Sequence, residues 1–409
     1  YIILEEKYVI NDVTRKTHAW EYFFSLLLYV NNSYVISIDE KKLTQKLVEK
    51  QKNKIQSIIN VPWNNSKIAF FLLVPEESTQ FSGGYKTLLR YISWLNDIGL
   101  SCDIYFGDRW EHMETNQKGF NLLEHCDMYE LINYIDNCNE LNINMNNFYL
   151  GLRCQRNYDL IIANAWHTAE PALRNKEKTK KFGYIIQDLE YLFYPNDDHL
   201  QNKVKKTYTN DFNYYCLSGY LTNHFEDKFD NVKRSCLGYN NKQYFDMNLE
   251  RENAILLTYY TYKPGRVPDL VEKIVKKLSD SKIKCYVFPD SFEIESEYVE
   301  FVGKMNIKEL NEIYNKVKVG LIFSNTNPSR IGYEMYASGL KVIEYKGPFT
   351  EYDMPDKYFT KINSDEGIEI IVNNLFKESE KNSEEYKKSI TIDVERNNVI
   401  NYFKTLLKN

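Results

Sequence analysis

The hydrophobic pattern of the chain changes character near Lys67. Upstream it is mixed: a short apolar run from Tyr1 to Leu4, an aromatic-rich helix around Trp20 to Val30, a strand at Tyr34 to Ile38, and a Lys-rich helix from Asp39 to about Ile59. In that helix Leu43, Leu47, Val48, Ile55, Ile58 and Ile59 are set against Lys41, Lys42, Lys46, Lys50, Lys52 and Lys54, which reads as a solvated face packed on a main domain or as a basic surface for an anionic membrane. From Lys67 onward, continuous apolar strands alternate with amphipathic helices, the signature of a parallel sheet covered on both faces. A first cycle has the strand Ile68 to Val74, a loop with Gly83 and Gly84, a helix from Tyr85 to Asp97 ended by Gly99, and strands at Cys102 to Phe106, Tyr158 to Ala163, Phe182 to Gln187 and Tyr215 to Leu217. The polar stretch Gly238 to Asn253 breaks the rhythm and is the linker candidate. A second cycle places strands at Ala254 to Thr258, Lys284 to Phe288, Val299 to Gly303, Val319 to Phe323 and Lys341 to Tyr345, with helices at Pro268 to Leu278, Ile307 to Asn315 and Arg330 to Ala337.

This organisation implies an N-terminal appendage over 1–60, an N-terminal Rossmann-like domain over 61–240, a second over 250–390, and a closing segment over 391–409. Its helix, about Val394 to Leu407, is expected to cross back onto the first domain. Right-handed crossovers gather the loops after strand ends at one edge of each sheet, so two such domains are expected to face each other across a cleft.

Composition narrows the function. A chain of 409 residues has the length for two cores. With 52 basic and 57 acidic residues the formal charge is 52 − 57 = −5, which argues against a nucleic-acid polymer as partner but leaves room for a mononucleotide. The seven cysteines are scattered, odd in number and without CxxC spacing, so reduced thiols and a cytoplasmic location are expected. Trp20 to Val30 is interrupted by Glu21 and Ser25 and is too short to span a bilayer, which leaves peripheral contact with the inner face of the membrane. The chain begins with Tyr1 rather than Met, and a neighbouring domain in a longer chain is a further expectation.

The segment from Pro328 to Ile343 carries the most chemistry. It opens a helix at a strand end with Ser329, Ile331 and Gly332, puts Glu334 about one turn in, and stops at Gly339 before the next strand. The unpaired amides of a helix start suit a diphosphate, and a carboxylate there accepts hydrogen bonds from hydroxyls of the same ligand, which fits a sugar nucleotide. A carboxylate stabilised by the helix dipole is the plain alternative. Gly83 and Gly84 permit close approach of backbone amides to a ligand or form a simple tight turn; the third glycine of a dinucleotide fingerprint is missing, which disfavours NAD. Trp166, His167 and Thr168 follow the strand ending at Ala163, where Trp166 would stack on a sugar face and His167 would bond a hydroxyl, although a lone histidine is often structural. Gln187, Asp188 and Glu190 follow the next strand as candidates for reading acceptor hydroxyls, with Asp188 as base or acceptor-orienting group. No Asp-x-Asp pair stands at a strand end, so no metal site and no cofactor are expected.

Taken together, these segments resemble the GT-B glycosyltransferases, and among them the large retaining family built on two Rossmann-like domains. The resemblance runs from about Lys67 to Lys377 and is strongest where Glu300-Phe301-Val302-Gly303-Lys304-Met305 is followed by Lys308 to Tyr314 and then by Tyr333-Glu334-Met335-Tyr336-Ala337-Ser338-Gly339. A narrower likeness, to the WsaF-type rhamnosyltransferases, rests on Ser82-Gly83-Gly84-Tyr85-Lys86-Thr87, Trp166-His167-Thr168-Ala169, Tyr184 to Glu190 with Phe193-Tyr194-Pro195, and Pro328-Ser329 ahead of Tyr333-Glu334-Met335. The resemblance implies a retaining, metal-independent hexosyltransferase that moves rhamnose from dTDP-rhamnose to a glycan or lipid-linked glycan acceptor in the assembly of a cell-surface glycan. A UDP- or GDP-sugar transferase and a catalytically inactive glycan-binding module are the alternatives. By the same resemblance Lys263 and Arg266 contact the pyrophosphate, Glu334 binds the ribose, and Gly303, Met305, Ser329, Ile331, Gly332, Gly83 and Gly84 belong to the donor site. One departure stands out: the family's paired glutamates lie eight positions apart, and the earlier position here is Thr326.

Overall fold

The computed structural model describes residues 67–73, 83–107, 141–144, 147–154, 156–261, 263–325 and 327–408. The expected appendage and its helices, and Thr326, lie outside the described residues. Two parallel sheets make up the fold. The first has strands β1 (Ile68–Leu73), β2 (Cys102–Gly107), β3 (Phe148–Leu150), β4 (Leu160–Ala163), β5 (Phe182–Ile186), β6 (Phe212–Cys216) and β7 (Val232–Arg234), in the order β3-β2-β1-β4-β5-β6-β7. The second has β8 (Glu252–Tyr259), β9 (Lys284–Pro289), β10 (Val299–Phe301), β11 (Val317–Ile322), β12 (Lys341–Tyr345) and β13 (Phe359–Ile362), in the order β10-β9-β8-β11-β12-β13. The helices are α1 (Gly83–Asp97), α2 (Trp166–Leu173), α3 (Asp198–Lys206), α4 (Gly219–Glu226), α5 (Pro268–Asp280), α6 (Ile307–Lys316), α7 (Arg330–Ala337), α8 (Pro348–Glu351), α9 (Ile368–Lys377), α10 (Glu384–Ser389) and α11 (Ile392–Lys408). None of the described helices is long and apolar enough to cross a membrane.

The alternation of buried side chains explains why both faces of the second sheet are covered. Along β8, Ala254 and Leu256 point into one core with Tyr314 of α6 and Met335 of α7, while Ile255 and Leu257 point into the other with Val271 and Ile274 of α5 and Val372 of α9. Ile255 and Leu257 are fully buried, and each such side chain contributes roughly 1.5 to 3 kcal/mol through burial. With helices on both faces, a strand must be apolar throughout, which is why its sequence reads as a continuous run.

The chain divides into two compact units. One takes the described residues up to Ile185 with Asn196–Asn213, and the other takes Ile186–Pro195 with Tyr214–Leu406. Inside the second unit the polar stretch after Gly238 is firmly pinned rather than loose. Arg251 donates to the carbonyl of Val317 at 3.1 Å and to Asp246 at 3.0 Å, and Gly238 N donates to Glu395 Oε2 of α11 at 2.9 Å. Farther along α11, Tyr402 stacks on Tyr215 of β6 with ring centroids 4.5 Å apart. The strands β3, β7 and β13 have no counterpart in the sequence pattern; each stands at a sheet edge, and β7 is half-buried to exposed along its length. The expected strand from Val299 to Gly303 stops at Phe301, because Gly303 turns the chain with φ +68°. Helix α1 starts at Gly83, so the two glycines expected in a loop are its first residues.

Candidate functional site

In the second sheet the chain runs outward through β9 and β10 and then returns to place β11 on the other side of β8. The carboxyl ends of β8 and β11 therefore frame the switch point of the sheet, where open α/β sheets bind ligands. Two loops leave that point, one carrying Lys263 and Arg266, the other running from Phe323 to Ser329. They are laced together. Asn325 N donates to the carbonyl of Gly265 at 2.9 Å. Arg266 Nη1 donates to the carbonyl of Phe323 at 3.1 Å, to Ser324 Oγ at 3.0 Å and to the carbonyl of Asn327 at 3.3 Å, while its Nη2 reaches Asn327 Oδ1 at 3.2 Å. Asn327 Nδ2 continues the chain to the carbonyl of Gln187 at 3.1 Å. The Lys263 loop is also tied sideways, since Thr261 N and Oγ1 both donate to Asp290 Oδ2 at 2.9 and 3.0 Å.

The Arg266 guanidinium is therefore chiefly an organiser of the loop, with its donors committed to carbonyls and side chains of the neighbouring turn. Directly after it Val267 sits in the left-handed region with φ +51° and ψ +55° and turns the chain into α5, whose first residue is Pro268. A β-branched residue there is a genuine outlier, costing of order 1 to 3 kcal/mol, and such strain is tolerated where the surrounding bonds fix the backbone. Lys263 is half-buried with its Nζ 4.4 Å from the ring centre of Tyr260. Burial first, and the Arg266 charge second, lower its pKa below the usual lysine value, against a smaller opposing pull from Asp290. The two cations disfavour each other, and an anion bound between them would relieve that repulsion.

Helix α7 opens at the end of the second loop. Ser329 caps it, accepting from Ile331 N at 3.3 Å, and the carbonyl of Ser329 accepts from Gly332 N at 3.2 Å. These are long bonds, compatible with exchange for a stronger acceptor. The first helical residue, Arg330, is held by a buried ion pair to Glu395 of α11 at 2.6 Å and by the carbonyl of Gly238. A Cβ at Gly332 would come 3.0 Å from Met354 Cε and 3.8 Å from Glu344 Oε2, so this glycine serves the packing of α7 onto β12. Glu334, only 9% exposed, follows in the next turn. Burial, and then Glu334, Tyr244 and Tyr260, push the fully buried Tyr314 hydroxyl well above the usual phenol value, so Glu334 and the Tyr260 under Lys263 share one neighbourhood. The Tyr314 hydroxyl itself is buried without a hydrogen-bond partner. Helix α7 ends at Ala337, and two residues on Gly339 turns the chain with a φ of +98°, open to glycine and strained for other residues.

The remaining sequence candidates fall differently. A Cβ placed on Gly303 would meet open space, and Met305 packs against the apolar core of the second sheet. Gln187 takes part through its carbonyl. Asp188 is buried and its Oδ1 accepts from the backbone N of Leu189 at 2.8 Å, and Glu190 opens a short 3-10 turn to Phe193. Trp166 and Thr168 are engaged close to their own segment. Trp166 is 4% exposed, with its ring 3.9 Å from that of His167 and Lys203 Nζ 5.7 Å from its centre, so in this structure it belongs to the packing. Thr168 Oγ1 donates to the carbonyl of Ala165 at 2.8 Å and accepts from Asn164 N and Ala165 N at 3.0 and 3.2 Å; its hydroxyl is spent on the start of α2. His167 is half-buried, and Gly83 and Gly84 lie in the first turn of α1.

Sequence reading missed Ser324, Asn327 as a bridging group, and Glu344. None has a local signature, because each acts through partners distant in sequence. Among the described residues no three His, Cys, Asp or Glu side chains gather as a metal site, and the five described cysteines are free.

No family model and no curated protein matches this chain. Solved structures do. Sucrose-phosphate synthase from Thermosynechococcus elongatus superposes with a TM-score of 0.57 at 12% identity, over 84% of this chain and 100% of its own. HepE of Anabaena in complex with UDP and glucose gives 0.54 at 9% identity, over 83% of this chain and 100% of its own. The lipopolysaccharide outer core galactosyltransferase WaaB gives 0.53 at 13% identity, over 83% and 99%. At such identities the likeness is one of fold, and with two parallel Rossmann-like sheets covered by helices, that fold is GT-B.

Proposed function

We propose that this protein is a glycosyltransferase that takes a hexose from a nucleotide-sugar donor and passes it to a glycan or lipid-linked glycan acceptor. The observation that carries the reading is the laced pair of loops at the switch point of the second sheet, where Lys263, Arg266, the capped start of α7 and buried Glu334 converge. Glycosyl transfer needs stabilisation of a diphosphate whose charge grows as the glycosidic bond breaks, and fixed cations and oriented amides supply it without reorganisation. Lys263, whose charge is disfavoured in the unliganded site, gains most when that anion arrives. Glu334 is suited to the ribose; with a dTDP donor only the 3′-hydroxyl remains for it. HepE structures hold UDP, glucose and UDP-glucose, which supports a nucleotide sugar here.

The finer reading rests on the resemblance of motifs: dTDP-rhamnose as donor, transfer with retention, no metal ion, and a role in surface-glycan assembly. In retaining transfer the leaving phosphate takes the acceptor's proton on the same face, so Asp188 is needed at most to orient the acceptor. The test is mass spectrometry of products after incubation with pooled sugar nucleotides and short glycan acceptors, preceded by a thermal-shift panel of nucleotides. A nucleotide at about 100 times its dissociation constant stabilises the fold by about 2.7 kcal/mol. A rhamnose adduct formed only from dTDP-rhamnose supports the enzyme and its donor, and the anomeric configuration of that product, read by NMR, tests retention; a product from UDP- or GDP-sugars overturns the donor. Glycan binding without product from any donor leaves a binding module and overturns the enzyme.

A further inference from the structure

One carboxylate at this edge has no part in the reading above. Glu344 lies near the carboxyl end of β12 and is 0% exposed. Its Oε1 accepts from Tyr345 N at 2.8 Å and its Oε2 from Ser324 Oγ at 2.9 Å. Ser324 Oγ in turn accepts from Arg266 Nη1 at 3.0 Å and from Ser329 N at 3.1 Å. A hydroxyl has a single hydrogen and two lone pairs, so every bonding capacity of Ser324 is committed and its hydrogen goes to Glu344. Both contacts of Glu344 are thus accepted bonds, the pattern of an ionised carboxylate beneath the first turn of α7, where it lies 3.8 Å from a Cβ placed on Gly332.

Keeping that charge in the interior is costly. Burial pushes the carboxyl up to about 7, with the Tyr345 amide, Arg266 and Ser324 holding it back from rising further. The charged and titratable groups that face it are Arg266 from the turn after β8 and Tyr333 from α7, whose hydroxyl Glu344 helps to hold protonated.

We infer that Glu344 is a positioning residue of the phosphate-binding edge, acting through Ser324 on Arg266 and on the start of α7, and that it takes up a proton when a nucleoside diphosphate binds there. The inference rests on the reading of this edge as the donor site. Ionised Glu344 leans on the same positive groups that a diphosphate would engage, so an arriving anion raises the affinity of the carboxyl for a proton from solvent. By linkage, protonation then favours the anion. The hydrogen-bond arithmetic agrees: a protonated Glu344 that donates to Ser324 occupies one of its lone pairs and turns the Ser324 hydrogen away from the carboxyl; Arg266 Nη1 keeps the carbonyls of Phe323 and Asn327, so the Ser329 amide is the group released as a donor for phosphate.

The experiment is calorimetric titration of the intact chain with UDP, ADP and dTDP in turn, and with inorganic pyrophosphate, in two buffers of different ionisation enthalpy. Wild type, Glu344→Gln and Ser324→Ala are compared. Wild type is expected to take up a large fraction of a proton per nucleotide near neutrality, with affinity falling by up to about tenfold for each unit of separation between the free and bound pKa values as the medium turns alkaline. Glu344→Gln loses the uptake. Ser324→Ala removes a bond to the ionised form, so its uptake persists with the midpoint moved to higher pH. Nucleotide binding without proton exchange in wild type, or equal uptake in Glu344→Gln, overturns the inference while leaving the donor site standing. Absence of binding by all four probes overturns the donor site, and this inference with it. An NMR titration of labelled glutamate in the unliganded chain provides a check free of ligand, and ordinary ionisation near the reference value of 4.5 overturns the role of Glu344 whatever binds.

Discussion

The carboxyl edges of the two sheets put polar residues to opposite uses. After β4 in the first sheet, the polar groups close on themselves: Thr168 caps its own helix and Trp166 fills space beside His167. At the edge of the second sheet the bonds run between segments. Arg266 reaches Ser324 and Asn327, Ser324 reaches Glu344 and Ser329, and Arg330 is tied to Glu395. A local cap stabilises one helix; a network joining several loops fixes the mutual geometry of groups that a ligand must meet together. The comparison teaches that polar residues after a strand end signal a site only when their bonds leave their own segment.

The largest effect should come from the self-contained edge and should concern folding. Trp166→Ala removes a buried aromatic side chain and is expected to cost about 3 to 5 kcal/mol of stability in denaturant unfolding, with little change in acceptor KM for the molecules that remain folded. An unchanged midpoint with a raised acceptor KM would return Trp166 to the sugar site and break the contrast.

Next comes the hub of the networked edge. Arg266→Ala leaves several carbonyls without their donor, and kcat should fall by about two to three decades with a smaller change in donor KM, on the scale of losing a preorganised donor at a developing negative charge. Arg266→Lys restores the charge but not the planar fork and should recover only part of the loss. Full recovery by lysine would mean that charge alone matters and that the lacing does not.

Glu334→Gln keeps the shape of α7 and removes a charge-assisted hydrogen bond worth about 1.5 to 3 kcal/mol, so nucleotide affinity should drop by about one to two decades in calorimetry. Unchanged affinity in a folded variant would take Glu334 out of the donor site.

The smallest expected effect is none. Initial rates with excess EDTA should match those with added magnesium or manganese, since the proposed leaving-group stabilisation rests on Lys263, Arg266 and the start of α7. Loss of activity with chelator, restored by metal, would sink the metal-free mechanism.

Much of the fold is written in local pattern. The run Ile68–Leu73 is a strand because covered faces demand apolar residues at every position, and α7 spans Arg330–Ala337 because Ser329 caps it and Gly339 turns it off. Short edge strands such as Val232–Arg234 escape that logic, since only partial burial selects their side chains. The local placement of the candidate residues was legible to the same extent: Ser329 caps α7, and Ile331, Gly332 and Glu334 lie within it, as their spacing announces.

What the sequence determined by itself was the alternation of strands and helices, the helix start at Ser329 and the carboxylate placed behind it. Tertiary structure alone decided that Trp166 is packing, that Arg266 organises a loop, and that Glu344, a charged residue in an apolar strand, is buried beneath α7. The reason is range. Caps, turns and periodicities are set by residues within a few positions of one another, whereas burial and the partner of a polar group are set by segments such as 266, 324 and 344 that meet only when the sheet closes.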